Sequence, residues 1–410
     1  MTPTKLTIYS TILSFIFFGS CSKPQLPKPS DIIPQLKKSA PARLQPATEE
    51  EVTFYPTYGY KKDGAWHMHL RGWVHENREH VNRFLTKIGE VKDKCAGAEL
   101  TNFQFRSDDF EDDDKSHETV IVKFDSDPQD QAFTFPRSES VGIVEMDLVL
   151  PDDRAKQLLD KQGSANGWLT FRAVSGDHTG LGRVRLIEAD GVSVVSDIDD
   201  TIKVTDIPAG QNIVLRNTFC RDFQAAPDMA RMYSDFGDVA FHYVSGGPEQ
   251  MFGPLYDFLI AGSGGFPEGT FHLRFFPKNL LSEVTRRNLK QLVGSSLDGT
   301  FEHKTKEIAA LMDRFPKRQF ILVGDSGEVD PEVYREIMRT RGPQVKEVWI
   351  RDVLNDADPN ANPHRLEGMK VIKTTPPSCV DGKHLDNLAA KLKEIFPDKD
   401  YKRNPSPPCN

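Results

Sequence analysis

A short apolar run in the middle of the sequence ends abruptly in acidic residues. Val192–Ser196 is rich in β-branched residues, and Asp197 and Asp199 follow it at once. Such a run predicts a buried strand, and open α/β sheets collect their reactive groups at the carboxyl ends of their strands. Two carboxylates held together repel each other, so such a pair usually serves a cation or divides acid and nucleophile roles. Taken alone, an acidic turn after a strand is the simpler interpretation.

Later strands end in groups that complement these carboxylates. Ser245 ends a second predicted strand, and Asp325 ends a later one with Asp330 five residues beyond it. Lys304 begins the predicted helix before that later strand. Carboxylates from two strand ends can share one Mg²⁺, a hydroxyl in a glycine-rich turn can hold phosphoryl oxygens, and a lysine adds positive charge. The set as a whole indicates phosphoryl chemistry.

Strands and helices alternate from residue 190 to residue 374. This alternation predicts an α/β fold with a doubly wound parallel sheet, in which the strand ends above share one edge. After the first strand, the strands are expected at residues 241–248, 270–276, 320–327 and 345–350. Residues 375–410 are predicted to form a C-terminal extension that consists of one helix and a polar tail.

Residues 52–189 have a different pattern, in which short alternating runs are separated by turn residues. This spacing predicts a β-rich, sandwich-like domain, interrupted by a helix at residues 75–94. His67 and His69 share a strand face but lack a third ligand at fitting spacing, so a surface or packed pair is favoured over a metal site. The acidic stretch at residues 108–114 lacks the features of a calcium loop, and a solvated loop is favoured.

The sequence pattern at the N-terminus indicates that the protein is exported. Lys5 precedes an apolar run that is too short to span a bilayer, and small residues lie just before Cys21. Residues 1–20 are therefore predicted to be a signal peptide, and their junction with Cys21 resembles the lipobox of bacterial lipoproteins. That resemblance implies an extracytoplasmic protein held on a membrane by a lipidated Cys21; a plain signal peptide is the alternative. Residues 21–51, which are rich in Pro and Lys, predict a disordered tether.

Composition and cysteine usage bear on nucleic-acid binding, zinc binding and disulfide pairing. The chain of 410 residues has a formal net charge of −8, which gives no indication of nucleic-acid binding. No CxxC or Cys/His cluster suggests zinc. If Cys21 is acylated, the four remaining cysteines can pair in three ways. Cys379 with Cys409 is the first pair that we expect.

The reactive residues resemble a known family. The four motifs of the haloacid dehalogenase superfamily are matched, in order, by Asp197-Ile198-Asp199-Asp200-Thr201, the turn after Ser245, Lys304 and the run Gly324-Asp325-x4-Asp330. More narrowly, the actin-patch-associated phosphatidate phosphatase family is matched by Ser196–Lys203, Val244–Pro248, Phe315-Pro316, Gly324–Tyr334 and Ile350–Val353. The resemblance covers roughly residues 190–353, and it implies a haloacid dehalogenase-like sheet in that region.

The resemblance also implies a covalent mechanism. Asp197 would attack phosphorus and form an aspartyl-phosphate, while Asp199 would protonate the leaving oxygen and then activate water. Thr201 would steady this loop. Such covalent catalysis divides one hard displacement into two easier ones.

Substrate and metal binding follow from the same resemblance. Ser245, Gly246 and Lys304 would hold the phosphoryl oxygens; Lys306 competes with Lys304, which is preferred because His303 precedes it, as in the family. The groups implied to hold Mg²⁺ are Asp197, the backbone carbonyl of Asp199, Asp325 and Asp330.

Together these inferences predict an exported, lipid-anchored, Mg²⁺-dependent phosphatase that acts on phosphatidate. One alternative is a phosphatase for small soluble or protein phosphomonoesters. Another is a non-catalytic surface-binding lipoprotein, against which the complete set of reactive side chains argues. Apolar residues after the first motif are either contacts for acyl chains or, slightly favoured, core packing; they are Ile213, Val214, Leu215, Phe219 and Phe223.

Overall fold

The computed structural model describes most of the chain beyond its first 49 residues. The described residues are 50–76, 95–111, 113–275, 297, 299–375, 377, 379–399 and 401–402. One compact unit spans residues 43–410, and the other, residues 1–42, lies wholly outside the described residues. In the part that is described, no helix is both long enough and apolar enough to cross a membrane.

Several predictions therefore lie outside the described residues. They include the signal peptide, Cys21 and nearly all of the tether, although Glu50 and Glu51 already form the start of a strand. The helix predicted at residues 75–94 lies there too, except that residues 75 and 76 belong to a strand.

The N-terminal part is β-rich, as predicted. Its strands are β1 (Glu50–Phe54), β2 (Thr57–Lys62), β3 (Ala65–Glu76), β4 (Asp113–Asp114), β5 (Ile121–Phe124), β6 (Ala132–Thr134), β7 (Ile143–Pro151), β8 (Trp168–Ala173), β9 (His178–Thr179) and β10 (Leu181–Ile187). Two helices accompany them, α1 (Glu99–Glu111) and α2 (Asp152–Gln162). The acidic stretch that we expected to be a loop instead ends α1 and forms β4, because β4 pairs with the end of β3.

Hydrogen bonds join these strands into one continuous sheet, whereas a sandwich has two separate sheets. The sheet curls, so that Phe54 of β1 packs on Phe171 of β8 with ring centroids 5.0 Å apart. The order is β6-β5-β8-β10-β2-β3-β1-β9, with β4 and β7 also paired to β3. The cause is the length of β3, whose 12 residues pair with β2 near its start, with β1 near its end and with β7 along most of its length. Side chains of the sheet share one core with Ala155 and Leu158 of α2.

The predicted parallel sheet is confirmed in the second part of the chain. Its strands are β11 (Val192–Ser196), β12 (Ala240–Pro248), β13 (Thr270–Arg274), β14 (Gln319–Asp325), β15 (Val345–Asp352) and β16 (Lys370–Lys373). Every pairing is parallel, in the order β13-β12-β11-β14-β15-β16. The strand order reverses between β11 and β14. Ligand sites of open α/β sheets lie at such a switch point, beyond the carboxyl ends of the strands.

Helices cover both faces of this sheet. They are α3 (Gln211–Phe219), α4 (Met229–Ser234), α5 (Phe252–Tyr256), α6 (Thr300–Arg314), α7 (Asp330–Arg341) and α8 (Gly382–Ile395). On β11, Val194 packs into one apolar cluster with α3 to α5, and its neighbour Val195 into another with α6 to α8. Burial on both faces explains why β11 is a continuous apolar run rather than an alternating one.

A disulfide joins the two parts of the chain. Cys95 bonds to Cys220, at a sequence separation of 125. Closing a loop of this length lowers the entropy of the unfolded chain, by a chain-entropy estimate of roughly 4–5 kcal/mol in stability. Cys379 is also disulfide-bonded. Because Cys409 lies outside the described residues, the Cys379–Cys409 pair stays a prediction.

Candidate active site

The loop after β11 is built around Asp200. This residue has a left-handed backbone with φ of 54°, and its side chain is buried. Its carboxylate accepts backbone N–H groups from Thr205, Asp206 and Ile207 at 2.9, 2.7 and 2.6 Å. The Arg351 guanidinium donates to the Asp200 carbonyl at 2.6 Å. Asp200 therefore fixes the loop that carries the flanking acids, a role that we did not assign from the sequence.

Asp197 lies at the carboxyl end of β11 and is almost fully buried, with 2% of its surface exposed. Its backbone N–H donates to the Val323 carbonyl at 2.9 Å, which continues the pairing of β11 with β14. One carboxylate oxygen accepts the Thr201 hydroxyl at 2.9 Å, and the other accepts the Lys304 ammonium at 2.7 Å. Burial raises the pKa of Asp197 to about 7 despite the attraction of Lys304.

Lys304 projects from the first turns of α6 into the same site. Its ammonium, which is 1% exposed, bridges Asp197 and Asp330, at 2.7 and 2.5 Å. Burial opposes its charge, but the two carboxylates outweigh burial and raise the pKa of Lys304 well above its usual value. Lys306, the competing candidate, is exposed on the same helix. The structure thus brings Lys304 to the acids and leaves Lys306 at the surface.

Asp325 and Asp330 complete an acidic cluster with Asp197. Oxygens from all three buried carboxylates lie within 4.8 Å of one another. The Gly327 N–H donates to Asp325 at 2.6 Å, and the Asp325 N–H donates to Asp330 at 3.3 Å. Burial and the neighbouring acids raise the pKa of Asp325 well above its usual value. Three carboxylates outnumber the one ammonium of Lys304, so the cluster has the charge and the oxygen donors that suit Mg²⁺.

A glycine is required where β14 meets α7. A Cβ atom at Gly324 would lie 2.5 Å from an Asp330 carboxylate oxygen and 2.8 Å from the Tyr334 ring. Such contacts are too short for carbon, so any larger residue would displace Asp330 from Lys304. The Gly-Asp sequence at this strand end is thus part of the site's geometry.

Ser245 lies on β12, within hydrogen-bond distance of Asp199. The expected turn after Ser245 is instead a continuation of the strand, with a register shift before Pro248 pairs with Arg274. The Ser245 hydroxyl donates to Asp199 at 3.4 Å and accepts the Gly247 N–H at 3.0 Å. Gly246 is partly exposed, and a Cβ there would lie 3.1 Å from the Thr300 hydroxyl. Ser245 thus reaches Asp199 from within the strand, without a separate turn.

Asp199 is the more accessible acid of the first motif, since 23% of its side chain is exposed. One of its oxygens accepts the Thr205 hydroxyl at 2.6 Å and lies 2.8 Å from the Lys203 ammonium. Burial favours the neutral form, but Lys203 outweighs burial and lowers the pKa of Asp199. Only the other oxygen faces Ser245. From the sequence we assigned no role to Lys203, although it lies four residues after Asp199.

Glu328 is a further acid at this site. It is partly exposed, and burial together with Asp197 and Asp330 raises its pKa to about 8 although Lys304 opposes the shift. Nothing in the sequence distinguishes Glu328 from the other residues of its motif. It adds one more carboxyl group beside the cluster.

The apolar residues after the first motif belong to the core. Val214, Leu215, Phe219 and Phe223 are buried in the cluster that also contains Phe103 of α1, and Ile213 is partly exposed. The packing interpretation is therefore confirmed for these four residues. They are not available as acyl-chain contacts.

The histidine pair considered in the sequence, His67 and His69 of β3, is also packed or exposed. His67 stacks on Tyr60 with ring centroids 5.6 Å apart, and His69 is half-exposed beside Glu145 and Asp147. Neither lies in the acidic cluster of the parallel sheet.

Comparison with known proteins agrees with the resemblance seen in the sequence. Residues 192–352 match the family described as phosphatidate phosphatase APP1, catalytic domain. The phosphatidate phosphatase APP1 of Saccharomyces cerevisiae is 33% identical over 166 residues, which are 39% of this chain and 26% of that protein. An uncharacterised protein of Schizosaccharomyces pombe is 22% identical over 181 residues, 43% of this chain and 27% of that protein.

The chain thus spans about a quarter of the length of these relatives. The resemblance to the phosphatidate phosphatase family is confirmed for residues 192–352, the segment from β11 to the end of β15. Asp197, Lys304, Asp325 and Asp330 all lie within it.

Proposed function

We propose that the parallel-sheet part is a haloacid dehalogenase-like phosphatase domain that hydrolyses phosphatidate through an aspartyl-phosphate on Asp197. One observation carries the proposal. Asp197, Lys304, Asp325 and Asp330 meet at the switch point of a parallel sheet, inside the segment that matches the catalytic-domain family. Phosphoryl transfer depends mainly on positioning and charge neutralisation, and this cluster supplies both.

The first step forms a bond between an Asp197 carboxylate oxygen and phosphorus. The bond from phosphorus to the leaving oxygen breaks, and Asp199 transfers a proton to that oxygen. Lys304 and Ser245 hold phosphoryl oxygens during this transfer, while Thr201 keeps Asp197 in place through its hydrogen bond. Mg²⁺, held by the acidic cluster, would supply additional positive charge against the phosphoryl group.

The second step uses Asp199 as a base. The Asp199 oxygen that faces Ser245 takes a proton from water, the water oxygen attacks phosphorus, and Asp197 is released together with phosphate. Lys203 lowers the pKa of Asp199 and so keeps this acid ionised, the form in which it can accept a proton. For the first step Asp199 must hold a proton, and an anionic phosphate beside it favours protonation by charge repulsion.

A lipid substrate is supported by the relatives and by the predicted anchor. The Saccharomyces cerevisiae relative is named a phosphatidate phosphatase. A lipidated Cys21 would hold the domain at a membrane, and the Cys95–Cys220 disulfide suits an oxidising, extracytoplasmic location. The signal peptide and the anchor stay predictions that an intact-mass measurement of the N-terminus can test.

Substrate preference tests the lipid assignment. Purified protein with Mg²⁺ should turn over micellar phosphatidate with a higher kcat/KM than glycerol 3-phosphate or p-nitrophenyl phosphate. Binding energy from the remote part of a substrate lowers the barrier at the reacting centre, so removal of the acyl chains should cost rate. The Asp197→Asn variant serves as the background for each substrate. Equal or faster turnover of the small esters would overturn the phosphatidate assignment and leave the phosphatase assignment in place.

Replacing Lys304 separates the two candidate lysines. Lys304→Met should lower kcat/KM by roughly 10²- to 10³-fold, the loss expected when one charged group is removed from a transition-state site. Lys306→Met is the matched control, because that side chain is exposed on the same helix. Steady-state kinetics of both variants measure the effect. Similar losses in the two variants would contradict the placement of Lys304.

Metal-free protein should become less stable as pH rises through neutrality. The pKa of Asp197 is raised from 3.8 to about 7, and that of Glu328 from 4.5 to about 8, both chiefly by burial. At a pH between its ordinary pKa and its raised pKa, each acid is protonated in the folded protein and ionised in the unfolded chain. The free energy of unfolding therefore falls as pH rises through this range.

Mg²⁺ should offset this loss. Its gain in melting temperature over EDTA should be larger at about pH 8 than at about pH 6, since the ionised acids bind the cation. Asp325→Asn should reduce the gain at the higher pH. An equal gain at both pH values would argue against Mg²⁺ binding by these acids.

A further inference from the structure

A second group of metal-ligating side chains lies in the β-rich part, away from the acidic cluster. Glu50 of β1 and His178 of β9 are direct neighbours in a parallel strand pair. Glu118, which precedes β5, completes the group. The ring nitrogen of His178 and one oxygen from each glutamate lie within 4.8 Å of one another. The three residues are scattered along the sequence, so no spacing pattern could have indicated them.

The imidazole of His178 is oriented toward the two glutamates. Its side chain is only 1% exposed. Nδ1 lies 2.9 Å from the Ser175 hydroxyl and 3.2 Å from an Asp177 oxygen. An N–H at Nδ1 can make both contacts, and Nε2 is then the ring atom whose lone pair a cation can take. Nε2 then faces oxygens of Glu50 at 3.2 Å and Glu118 at 3.8 Å.

Two buried atoms in this group are unsatisfied. Within the described part of the chain, neither Nε2 of His178 nor Oε2 of Glu50 has a hydrogen-bond partner. A buried polar atom without a partner usually costs about 1–3 kcal/mol. A cation bound by Nε2 and the two carboxylates would give both unsatisfied atoms a partner.

The surroundings hold the group in place without occupying these atoms. The Lys115 ammonium lies 2.5 Å from Glu76 and 3.5 Å from Oε1 of Glu50, the oxygen that does not face His178. The Ser138 hydroxyl accepts the Glu118 N–H at 2.9 Å and donates to the Lys115 carbonyl at 2.7 Å. The segment that carries Glu118 is therefore fixed against the strands.

We propose that Glu50, Glu118 and His178 bind a divalent metal ion of the zinc class, with water as a further ligand. In a tetrahedral zinc site with bonds of about 2.0–2.1 Å, ligand atoms lie roughly 3.4 Å apart. The distances from Nε2 to the two oxygens, 3.2 and 3.8 Å, bracket this value. Imidazole nitrogen suits zinc, whereas Mg²⁺ prefers an all-oxygen set. The metal would link β1 and β9 to the segment that carries Glu118. This role does not depend on the proposed phosphatase reaction.

Zinc titration of the disulfide-intact protein, by calorimetry and by equilibrium dialysis, tests this site. The wild type should bind one zinc ion per chain more than His178→Ala. Glu118→Gln should weaken that binding at least about 10-fold, a loss that even residues behind the ligands produce. His69→Ala is the matched control, because His69 also lies beside two carboxylates but is half-exposed.

Co²⁺ absorption spectra and NMR of His178 test the same site in two further ways. Co²⁺ in place of zinc should give visible absorption bands in the wild type and His69→Ala that are weak or absent in Glu118→Gln. Since Glu118 is partly exposed, this variant should fold even if His178→Ala does not. Equal zinc stoichiometry in the wild type and Glu118→Gln, with the same affinity, would overturn the site. A protonated Nε2 on His178 in zinc-treated protein, seen by NMR, would also overturn it.

Discussion

Asp197→Asn should abolish phosphate release, with a loss in kcat of at least about 10³-fold. Removal of the nucleophile from a covalent enzyme leaves only the contribution of binding and charge stabilisation. An amide is a very poor nucleophile, and it cannot form the aspartyl-phosphate. Initial rates on phosphatidate and on p-nitrophenyl phosphate, measured with purified protein and Mg²⁺, should both fall to the background.

The fold should survive this change because Asn can keep the same contacts. Its oxygen can accept the Lys304 ammonium, as Asp197 does at 2.7 Å. Its NH₂ group can donate to the Thr201 hydroxyl, which can in turn donate to Asp325, 3.3 Å away. The substitution also removes one negative charge from a crowded cluster, so we expect little loss of stability without metal.

Circular dichroism and the melting temperature in EDTA provide the control. A variant with the wild-type spectrum and no turnover supports Asp197 as the nucleophile. A correctly folded variant that retained more than about a tenth of the wild-type rate would remove Asp197 from that role.

The part of the site that could be predicted follows from sheet geometry. Parallel strands present their carboxyl ends at one edge, so residues that follow apolar runs must meet there. Asp197 follows β11 and Asp325 is the last residue of β14, and the structure pairs these two strands as neighbours. Lys304 precedes β14 on a helix whose apolar face is clear in the sequence. Their convergence needed only the periodicity of the sequence and the order of its elements.

The rest depended on loop geometry and on distant pairing. Asp200 has a structural role because three N–H groups turn toward its carboxylate, and no spacing rule predicts that turn. The Cys95–Cys220 disulfide joins residues from two parts of the chain that need the fold to become neighbours. The single sheet of the β-rich part follows from the length of β3, since one long strand can pair with several partners. β16 escaped prediction because it has only four residues, none of them buried.

Asp199→Asn should stop the reaction after the first step when the leaving group needs no proton. Loss of a general acid or base typically costs 10²- to 10⁴-fold, so steady-state turnover should fall within about that range on any substrate. p-Nitrophenolate leaves without protonation, and Asp197 remains intact to attack phosphorus. The variant should therefore release a burst of one equivalent of p-nitrophenolate and then stall, because no base activates the water.

Phosphatidate should behave differently in the same variant. Its alkoxide leaving group requires the proton of Asp199, so both steps slow down and no burst is expected. Rapid-quench kinetics and the intact mass of the quenched protein distinguish the two cases, since the stalled enzyme carries one phosphoryl group. The Asp197→Asn/Asp199→Asn double variant is the control, and it should show neither the burst nor the added mass.

The structural basis of this prediction is the environment of the Asp199 carboxylate. One oxygen faces Ser245, and the other is held by Lys203 and Thr205. If Asp199→Asn gave no burst and no phosphoryl enzyme while turnover of p-nitrophenyl phosphate stayed at the wild-type rate, the assignment of Asp199 as acid and base would be wrong.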